Sequence, residues 1–443
     1  MDQQSTHGQL GTGYFEVCQD AGGQWTLVDP DGRPFLFKGV CGVNRAGTQG
    51  GRLARPGPYA ATVDRKYDYP RSPQRFVDAT LERLRDWNFN ALGSWVTEEF
   101  FDQGMPFTEI LECVMQGSVL KAPGIKLPDV FDPAWHEAID RQAQLLCTPL
   151  RNSRELIGYF TDNELSWGQP GTDQIWGASE LANRKGPTLL QAILGMEQDC
   201  PARREAWAFV LENHGSMEQI GRAWDVALSR PEDVTRLNQA GQILYSTGYG
   251  QDHHDFSRKF AHAYVRHTAE AIRRHDPNHL ILGARFGSPP GEAVLQAFRQ
   301  PWVDVVSANN YRVDLYGRMN AYWQGHEMPL LVGEFAWASP PFVSPDHWTE
   351  QDRADGESVE SHVQRVGPES LVHGMSHPGV VGYTWYRWIQ DRNGRPVAYG
   401  LVDTNDEVNP LNVDLLTEVN ARLESLVTLH HPAARAHGGC CHS

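Results

Sequence analysis

Eight apolar, strand-like runs recur along this chain, and helical segments separate most of them. Strands that alternate with helices predict parallel pairing in one α/β sheet, because each helical crossover lets the next strand run in the same direction. Eight such strands indicate a (β/α)8 TIM barrel rather than an open sheet, and 443 residues suit a barrel with insertions. The predicted strands cover residues 37–44, 89–95, 107–114, 156–164, 280–286, 303–311, 330–337 and 380–386.

Three segments divide the predicted architecture. Residues 1–34 form an N-terminal extension with a short β-hairpin packed on the barrel, since the turn sequence Asp29-Pro30-Asp31-Gly32 separates strand-like runs. Residues 35–430 form the barrel, with a long, partly helical insertion at residues 166–253 after the fourth strand, and residues 431–443 form a flexible tail. The predicted helices of the insertion cover residues 188–196, 202–213, 218–228 and 232–245, and a further helix covers 256–275.

The charge and hydropathy of the chain exclude several classes of partner. A formal net charge of −16 at pH 7 disfavours nucleic acids and anionic membrane surfaces, which attract basic patches. The mean hydropathy is −0.49 and no run approaches the roughly 20 apolar residues of a membrane span. The first residues lack the basic and apolar regions of a secretory signal, which predicts a cytoplasmic location, or secretion if a leader has been removed. No phosphate-binding glycine loop or metal motif occurs, so no cofactor and no metal are predicted.

Two of the predicted strands each deliver a glutamate at the C-terminal end. The run from Leu156 leads to Glu164, and the run from Leu330 leads to Glu334. A carboxylate at the end of a buried strand is costly unless it faces a working cleft, and barrel chemistry belongs at this end of the strands. Paired carboxylates on separate strands are the main requirement of glycoside hydrolysis, so Glu164 and Glu334 are the predicted catalytic residues.

Each glutamate also has a purely structural interpretation. Glu334 would then form a buried salt bridge with Arg45 or Arg285. Glu164 would lie in the first turn of a helix capped by Asp162 or Asn163. The coincidence of two glutamates at strand ends favours the catalytic interpretation.

Polar and aromatic residues at the same strand ends are the predicted substrate-binding residues. Asn163 can both donate and accept hydrogen bonds through its amide, which suits sugar hydroxyls. Tyr311 is placed to donate a hydrogen bond to Glu334, and Trp385 to stack on a sugar ring, although either side chain could instead be packed in the core. The other members of this predicted set are Asn44, Arg45, Trp95, Arg285, Asn310, Trp337 and Trp388.

The pair Asn163-Glu164 closing the fourth strand and Glu334 closing the seventh resembles clan A of the glycoside hydrolases, which are retaining (β/α)8 enzymes. This resemblance implies that Glu164 is the acid/base and that Glu334 is the nucleophile. Tyr311 on the sixth strand and Trp385 on the eighth also match the clan pattern.

Three stretches, at residues 158–167, 276–286 and 400–403, look like the β-agarase group, glycoside hydrolase family 50, and its relatives. The similarity runs from about Trp25 to about Asn420 and implies hydrolysis of β-linked galactan-type oligo- or polysaccharides, such as those derived from agarose, by double displacement. The rival interpretations are a clan A enzyme for another neutral sugar (β-galactosidase, β-glucanase or β-mannanase type), a carbohydrate-binding barrel without catalysis, and an α/β barrel lyase or transferase.

Overall fold

The computed structural model describes residues 11–47, 55–121, 125–167, 187–197, 199–348, 356–390 and 393–430. Its strands are β1 (Glu16–Gln19), β2 (Trp25–Val28), β3 (Pro34–Phe35), β4 (Phe37–Val40), β5 (Ala91–Leu92), β6 (Phe107–Ile110), β7 (Ile125–Lys126), β8 (Leu156–Phe160), β9 (Ser166–Trp167), β10 (Leu280–Ile281), β11 (Val306–Asn309), β12 (Leu330–Phe335) and β13 (Val380–Trp385). Its helices are α1 (Pro58–Tyr67), α2 (Pro73–Asp86), α3 (Pro133–Cys147), α4 (Leu189–Leu194), α5 (Pro201–His214), α6 (Met217–Trp224), α7 (Glu232–Gln239), α8 (Thr247–His275), α9 (Glu292–Leu295), α10 (Leu315–Trp323), α11 (Pro340–Val343), α12 (Val359–Met375) and α13 (Pro410–His430).

Eight parallel strands form one curled sheet in the order β10-β8-β6-β5-β4-β13-β12-β11. The edge strands β10 and β11 come together just beyond β10, where Phe286 bridges Ala308 and the Phe286 N–H donates to the carbonyl of Ser307 at 2.9 Å. The sheet therefore has the form of a TIM-like barrel, and the predicted parallel α/β architecture is confirmed.

The strands that carry the two glutamates are buried along their whole length. Every residue of β8, β12 and β13 is buried, as expected for parallel strands covered on both faces. Apolar side chains from these strands fill the barrel interior, where Ile157, Leu331 and Val381 belong to one cluster. This packing fixes the positions of the strand ends.

An antiparallel sheet of β1, β2 and β3 lies against the N-terminal end of the barrel. Phe15 and Leu27 from this segment join the interior cluster. The Trp25 indole donates to the carbonyl of Glu327 at 3.0 Å, and the Trp25 N–H donates to Pro378 at 2.8 Å, just ahead of β12 and β13. The C-terminal end of the barrel is left for the site.

Local sequence signals explain where most helices begin. Asp132 caps α3 by accepting from the N–H of Ala134, and Pro133 occupies the first turn. The predicted start of the long helix near residue 256 is wrong, because α8 begins at Thr247 after Ser246, whose hydroxyl accepts from the N–H of Tyr249. The residues just before 256 are mostly polar, so apolar periodicity did not predict the two additional turns at the start of α8.

The insertion contributes helices α4 to α7, of which α6 and α7 end earlier than the predicted residues 228 and 245. The buried Asp252 of α8 ties this layer together by contacting the His214 imidazole and the Trp224 indole, each at 2.7 Å. Residues 168–186 of the insertion, and the predicted tail at 431–443, lie outside the described residues. None of the described helices is long and apolar enough to cross a lipid bilayer.

Candidate active site

The segment after β8 presents Glu164 at the C-terminal end of the barrel. Glu164 is exposed and adopts a left-handed backbone conformation with φ 51°, and its N–H donates to the carbonyl of Arg285 at 3.1 Å. It belongs to no helix and is followed by β9, so the alternative in which Glu164 starts a capped helix is wrong. A carboxyl group in this position is accessible to a ligand.

Glu334 on β12 lies in a very different environment. The residue is only 3 % exposed, and its Oε1 accepts from the Arg285 Nη2 at 2.5 Å. The hydroxyl of Tyr311 donates to Oε2, as the sequence predicts. The structural interpretation of Glu334 as a salt-bridge partner is therefore correct for Arg285 and wrong for Arg45. Glu334 pairs with Arg285, whereas Arg45 contacts Asp64.

The electrostatics of Glu334 combine opposing effects. Burial raises the pKa of the Glu334 carboxyl, the Arg285 charge and the Tyr311 hydrogen bond lower it, and the nearby charge of Glu164 raises it. The pKa of Tyr311 is raised well above its ordinary value by burial and by Glu334, so the phenol remains a proton donor. The net result is a raised pKa for Glu334, so the site combines one buried, hydrogen-bonded carboxyl group of raised pKa with one exposed carboxyl group.

Two amide side chains connect the glutamates. Asn309 donates from its Nδ2 to the Glu164 Oε1 at 3.0 Å and to the Asn163 Oδ1 at 3.1 Å. The same Asn163 oxygen accepts from the Arg285 Nε at 2.8 Å, and Arg285 in turn holds Glu334. A continuous network of hydrogen bonds thus runs from Glu164 to Glu334.

Arg285 is the centre of this network rather than a ligand-binding group. Its side chain is fully buried, and its guanidinium lies 4.8 Å from the ring centre of Trp95 and 5.0 Å from that of Phe160. Its Nη1 donates to the Ser94 hydroxyl, and its Nη2 lies 3.8 Å from the Cys41 sulfur. The predicted substrate contact of Arg285 does not fit this enclosure, because a planar guanidinium already surrounded by protein partners has no open face.

Two other predicted substrate-binding residues, Asn44 and Arg45, stabilise the loop after β4. Asn44 is buried, donates to the carbonyl of Trp95 at 2.8 Å and accepts from the N–H of Gly47 at 2.9 Å. Arg45 forms a two-point contact with Asp64, with distances of 2.7 and 2.5 Å. Neither side chain contacts Glu164 or Glu334 among the described residues, so the structure does not bring them into the site.

The predicted tryptophans are enclosed in the core. Trp337, Trp385 and Trp388 are each 0 % exposed, and Trp337 packs on Trp385 with ring centres 4.5 Å apart. The Trp385 indole donates to the carbonyl of Tyr399 at 2.9 Å. A sugar-stacking role for Trp385 does not fit this burial, and Trp95, at 4 % exposed, offers little more surface.

Half-buried tyrosines provide the aromatic surface instead. Tyr311, Tyr386 and Tyr399 meet edge to face beside Glu334, with ring centres 5.6 to 6.2 Å apart. Burial, opposed by Arg387 and reinforced by the charge of Glu334, raises the pKa of Tyr386 to about 12. Tyr386 directly follows Trp385 at the end of β13. This strand-end position could have identified Tyr386 from the sequence as a candidate site residue.

At the end of β11, Asn309 rather than the predicted Asn310 contacts Glu164 through its side chain. Asn310 is buried, its backbone N–H donates to the carbonyl of Glu334 at 2.7 Å, and its side-chain Nδ2 lies 3.7 Å from the Met319 sulfur. The pairing of β11 with β12 shifts register at Asn309, which aligns with Glu334 instead of Gly333. Such an irregularity changes which side chains face the cleft, and strict alternation along a strand does not reveal it.

The arrangement has the parts needed for chemistry at an acetal carbon. A buried carboxylate with a cation and a phenol can act as a nucleophile, and an exposed carboxyl group bonded to an amide can exchange protons with solvent or a leaving group. The described residues contain no group of His, Cys, Asp and Glu side chains placed to hold a metal ion.

Comparison with known proteins shows that this chain is similar to proteins named as β-agarases. No family model matches the chain. The chain is 23 % identical to β-agarase A and 22 % identical to β-agarase B of Vibrio sp. (strain JT0107), over 92 % and 86 % of its length. These matches cover 45 % and 44 % of the relatives, so the chain spans about half the length of the curated relatives it matches.

Solved structures show the same fold. An exo-β-agarase superposes with a TM-score of 0.73 at 20 % identity, covering 96 % of this chain and 66 % of that protein. The agarase AgWH50C superposes with a TM-score of 0.70 at 23 % identity, covering 95 % and 66 %. The barrel described above is therefore an architecture that agarases of known structure share.

Proposed function

We propose that this chain is a retaining β-glycoside hydrolase that cleaves agarose-type galactan or its oligosaccharides. The observation that carries the proposal is the contrast between the two strand-end glutamates, which one network joins. Glu334 is buried, paired with Arg285 and bonded to Tyr311, whereas Glu164 is exposed and bonded only to Asn309 among the described side chains. The agarase relatives support the choice of sugar, because they match nearly the whole of this chain.

In the first step, a Glu334 oxygen attacks the anomeric carbon and the bond from that carbon to the leaving oxygen breaks. Glu164 gives its proton to the leaving oxygen, which departs as a hydroxyl group. Tyr311 and Arg285 orient Glu334 for attack, and Asn309 holds the Glu164 carboxyl group in place.

In the second step, Glu164 removes a proton from water as the water oxygen attacks the anomeric carbon. The ester bond to Glu334 breaks and the carboxylate returns to Arg285 and Tyr311. Two inversions leave the configuration unchanged, which requires carboxyl groups roughly 5–5.5 Å apart in the substrate complex.

Incubation with agarose and with neoagaro-oligosaccharides, followed by chromatography, tests the substrate. We expect short neoagaro products from the wild type and none from Glu334→Gln. The ladder of product lengths would separate release from chain ends from internal cleavage. Turnover of aryl β-glucosides or β-mannosides without any agarose product would contradict the choice of sugar and favour a related β-glycosidase.

A further inference from the structure

Four consecutive barrel strands are followed by a residue in the left-handed backbone region that is not glycine. These residues are Trp95 with φ 64°, Glu112 with φ 52°, Glu164 with φ 51° and Arg285 with φ 47°. Side chains seldom adopt this conformation, and such positions concentrate at functional sites. Three of the four belong to the site described above, whereas Glu112, two residues beyond β6, has no role in the proposed mechanism.

The backbone around Glu112 projects its side chain out of the sheet. The N–H of Leu111 donates to the carbonyl of Phe160 at 2.9 Å, and the N–H of Cys113 donates to that of Thr161 at 3.0 Å. Because the residues on both sides are anchored to two consecutive carbonyls, those of the last residue of β8 and of the residue after it, Glu112 is an additional residue in the manner of a bulge. Bulges redirect side chains beside active sites, and glycine would occupy this position at lower conformational cost.

The carboxylate of Glu112 lies on the same network as the nucleophile. Its Oε1 accepts from the Trp95 indole at 3.3 Å, and the Trp95 ring packs on the Arg285 guanidinium that holds Glu334. Glu112 is half-buried, although Leu111 and Cys113 on either side are buried. In the described part of the chain, its Oε2 has no hydrogen-bonding partner, which leaves this oxygen free to accept a hydrogen bond from a ligand.

From these observations we infer that Glu112 is a specificity-determining residue, which accepts hydrogen bonds from hydroxyl groups of a neutral sugar ring bound next to the cleavage point. The inference rests on the proposed function and deepens it. A fixed negative charge there disfavours a ring that carries a sulfate ester, because like charges repel strongly where solvent is partly excluded. Glu112 thus selects for unsulfated galactan.

The substitution Glu112→Gln keeps the shape of the side chain and removes its charge. We expect kcat/KM on a neutral oligosaccharide to fall about 10- to 100-fold, mainly through KM, as for the loss of a hydrogen bond to a charged group. We expect the preference for the neutral substrate over its sulfated counterpart to fall at least about 10-fold.

The matched control is Glu327→Gln. Glu327 is an exposed glutamate with the same backbone conformation, φ 51°, at the opposite end of the barrel ahead of β12. Its substitution should leave both kcat/KM and the preference at wild-type values. An unchanged preference in Glu112→Gln, while the wild type turns over neutral substrate, would overturn the inference alone. Absence of wild-type turnover on every neutral substrate would overturn the proposed function and the inference with it.

Glu112→Gly separates recognition from a structural role. Because glycine adopts this backbone conformation freely, the melting temperature should match that of the wild type while kcat/KM falls as in Glu112→Gln. A large drop in melting temperature would assign Glu112 to stability and overturn the inference.

Discussion

Replacing Glu334 by alanine is expected to lower turnover by on the order of 10⁵-fold, even on aryl β-glycosides with good leaving groups. The nucleophile is needed whatever the leaving group, because no other group in the described site is placed to form the glycosyl ester. Glu164→Ala should instead retain turnover of such aryl glycosides within about 10-fold in the first step. On natural glycosides it should lose about 10²- to 10⁴-fold, since only those leaving groups need a proton.

The comparison is made by steady-state and burst kinetics on an activated aryl glycoside and on an oligosaccharide. Glu327→Gln, at the far end of the barrel, controls for the loss of a carboxylate as such, and circular dichroism checks the fold of each variant. Equal losses for the two alanine variants on the activated substrate would contradict the assignment of roles to Glu164 and Glu334.

Replacing Arg285 by methionine is expected to destabilise the fold by about 3–5 kcal/mol, because Glu334 would remain buried without its cation. The pKa of Glu334 should rise further, since the Arg285 charge opposes the effect of burial. Only ionised Glu334 attacks, so activity disappears as pH falls through this pKa. The acid limb of the kcat/KM profile should therefore move to higher pH.

Lys38→Met is the matched control for this substitution. Lys38 is also a buried cation, but its partner Glu424 has a side chain that is 63 % exposed and remains hydrated when the cation is removed. We expect a smaller loss of stability and no movement of the acid limb. If Arg285→Met fails to fold, Arg285→Gln serves instead, because a glutamine also removes the charge but keeps an amide that can donate hydrogen bonds in place of part of the fork that joins Asn163, Ser94 and Glu334. An acid limb that stays in place in the folded variant would contradict the role of Arg285.

The fold was largely predictable because its signal is repeated and strong. Long apolar runs predict β8, β12 and β13. Glu164 follows β8 and Glu334 lies near the end of β12, and both glutamates were identified from these positions alone. The predicted second and fifth strands extend beyond β5 and β10, since the ladder is interrupted by left-handed residues at Trp95, Gly283 and Arg285. Tertiary contacts decide a backbone conformation of this kind, and hydrophobic periodicity does not predict it.

The surroundings of the glutamates were harder to predict. Apolar and aromatic residue types do not say which tryptophans are covered by later segments, so the sequence left Trp385 open between stacking and core packing, and the burial of Trp388 was missed. The register shift at Asn309 exchanged the roles of two adjacent asparagines. Arg285 was recognised as a strand-end residue, yet its enclosure by Trp95 and Phe160 depends on three strands that are distant in sequence.

The most direct test of the two-glutamate mechanism is the configuration of the first product, followed by proton NMR during early turnover of a neoagaro-oligosaccharide. Double displacement through Glu334 predicts that the β-anomer appears first and that the α-anomer grows in only by mutarotation. An α-anomer as the initial product would show single displacement by water and would contradict the role of Glu334 as nucleophile.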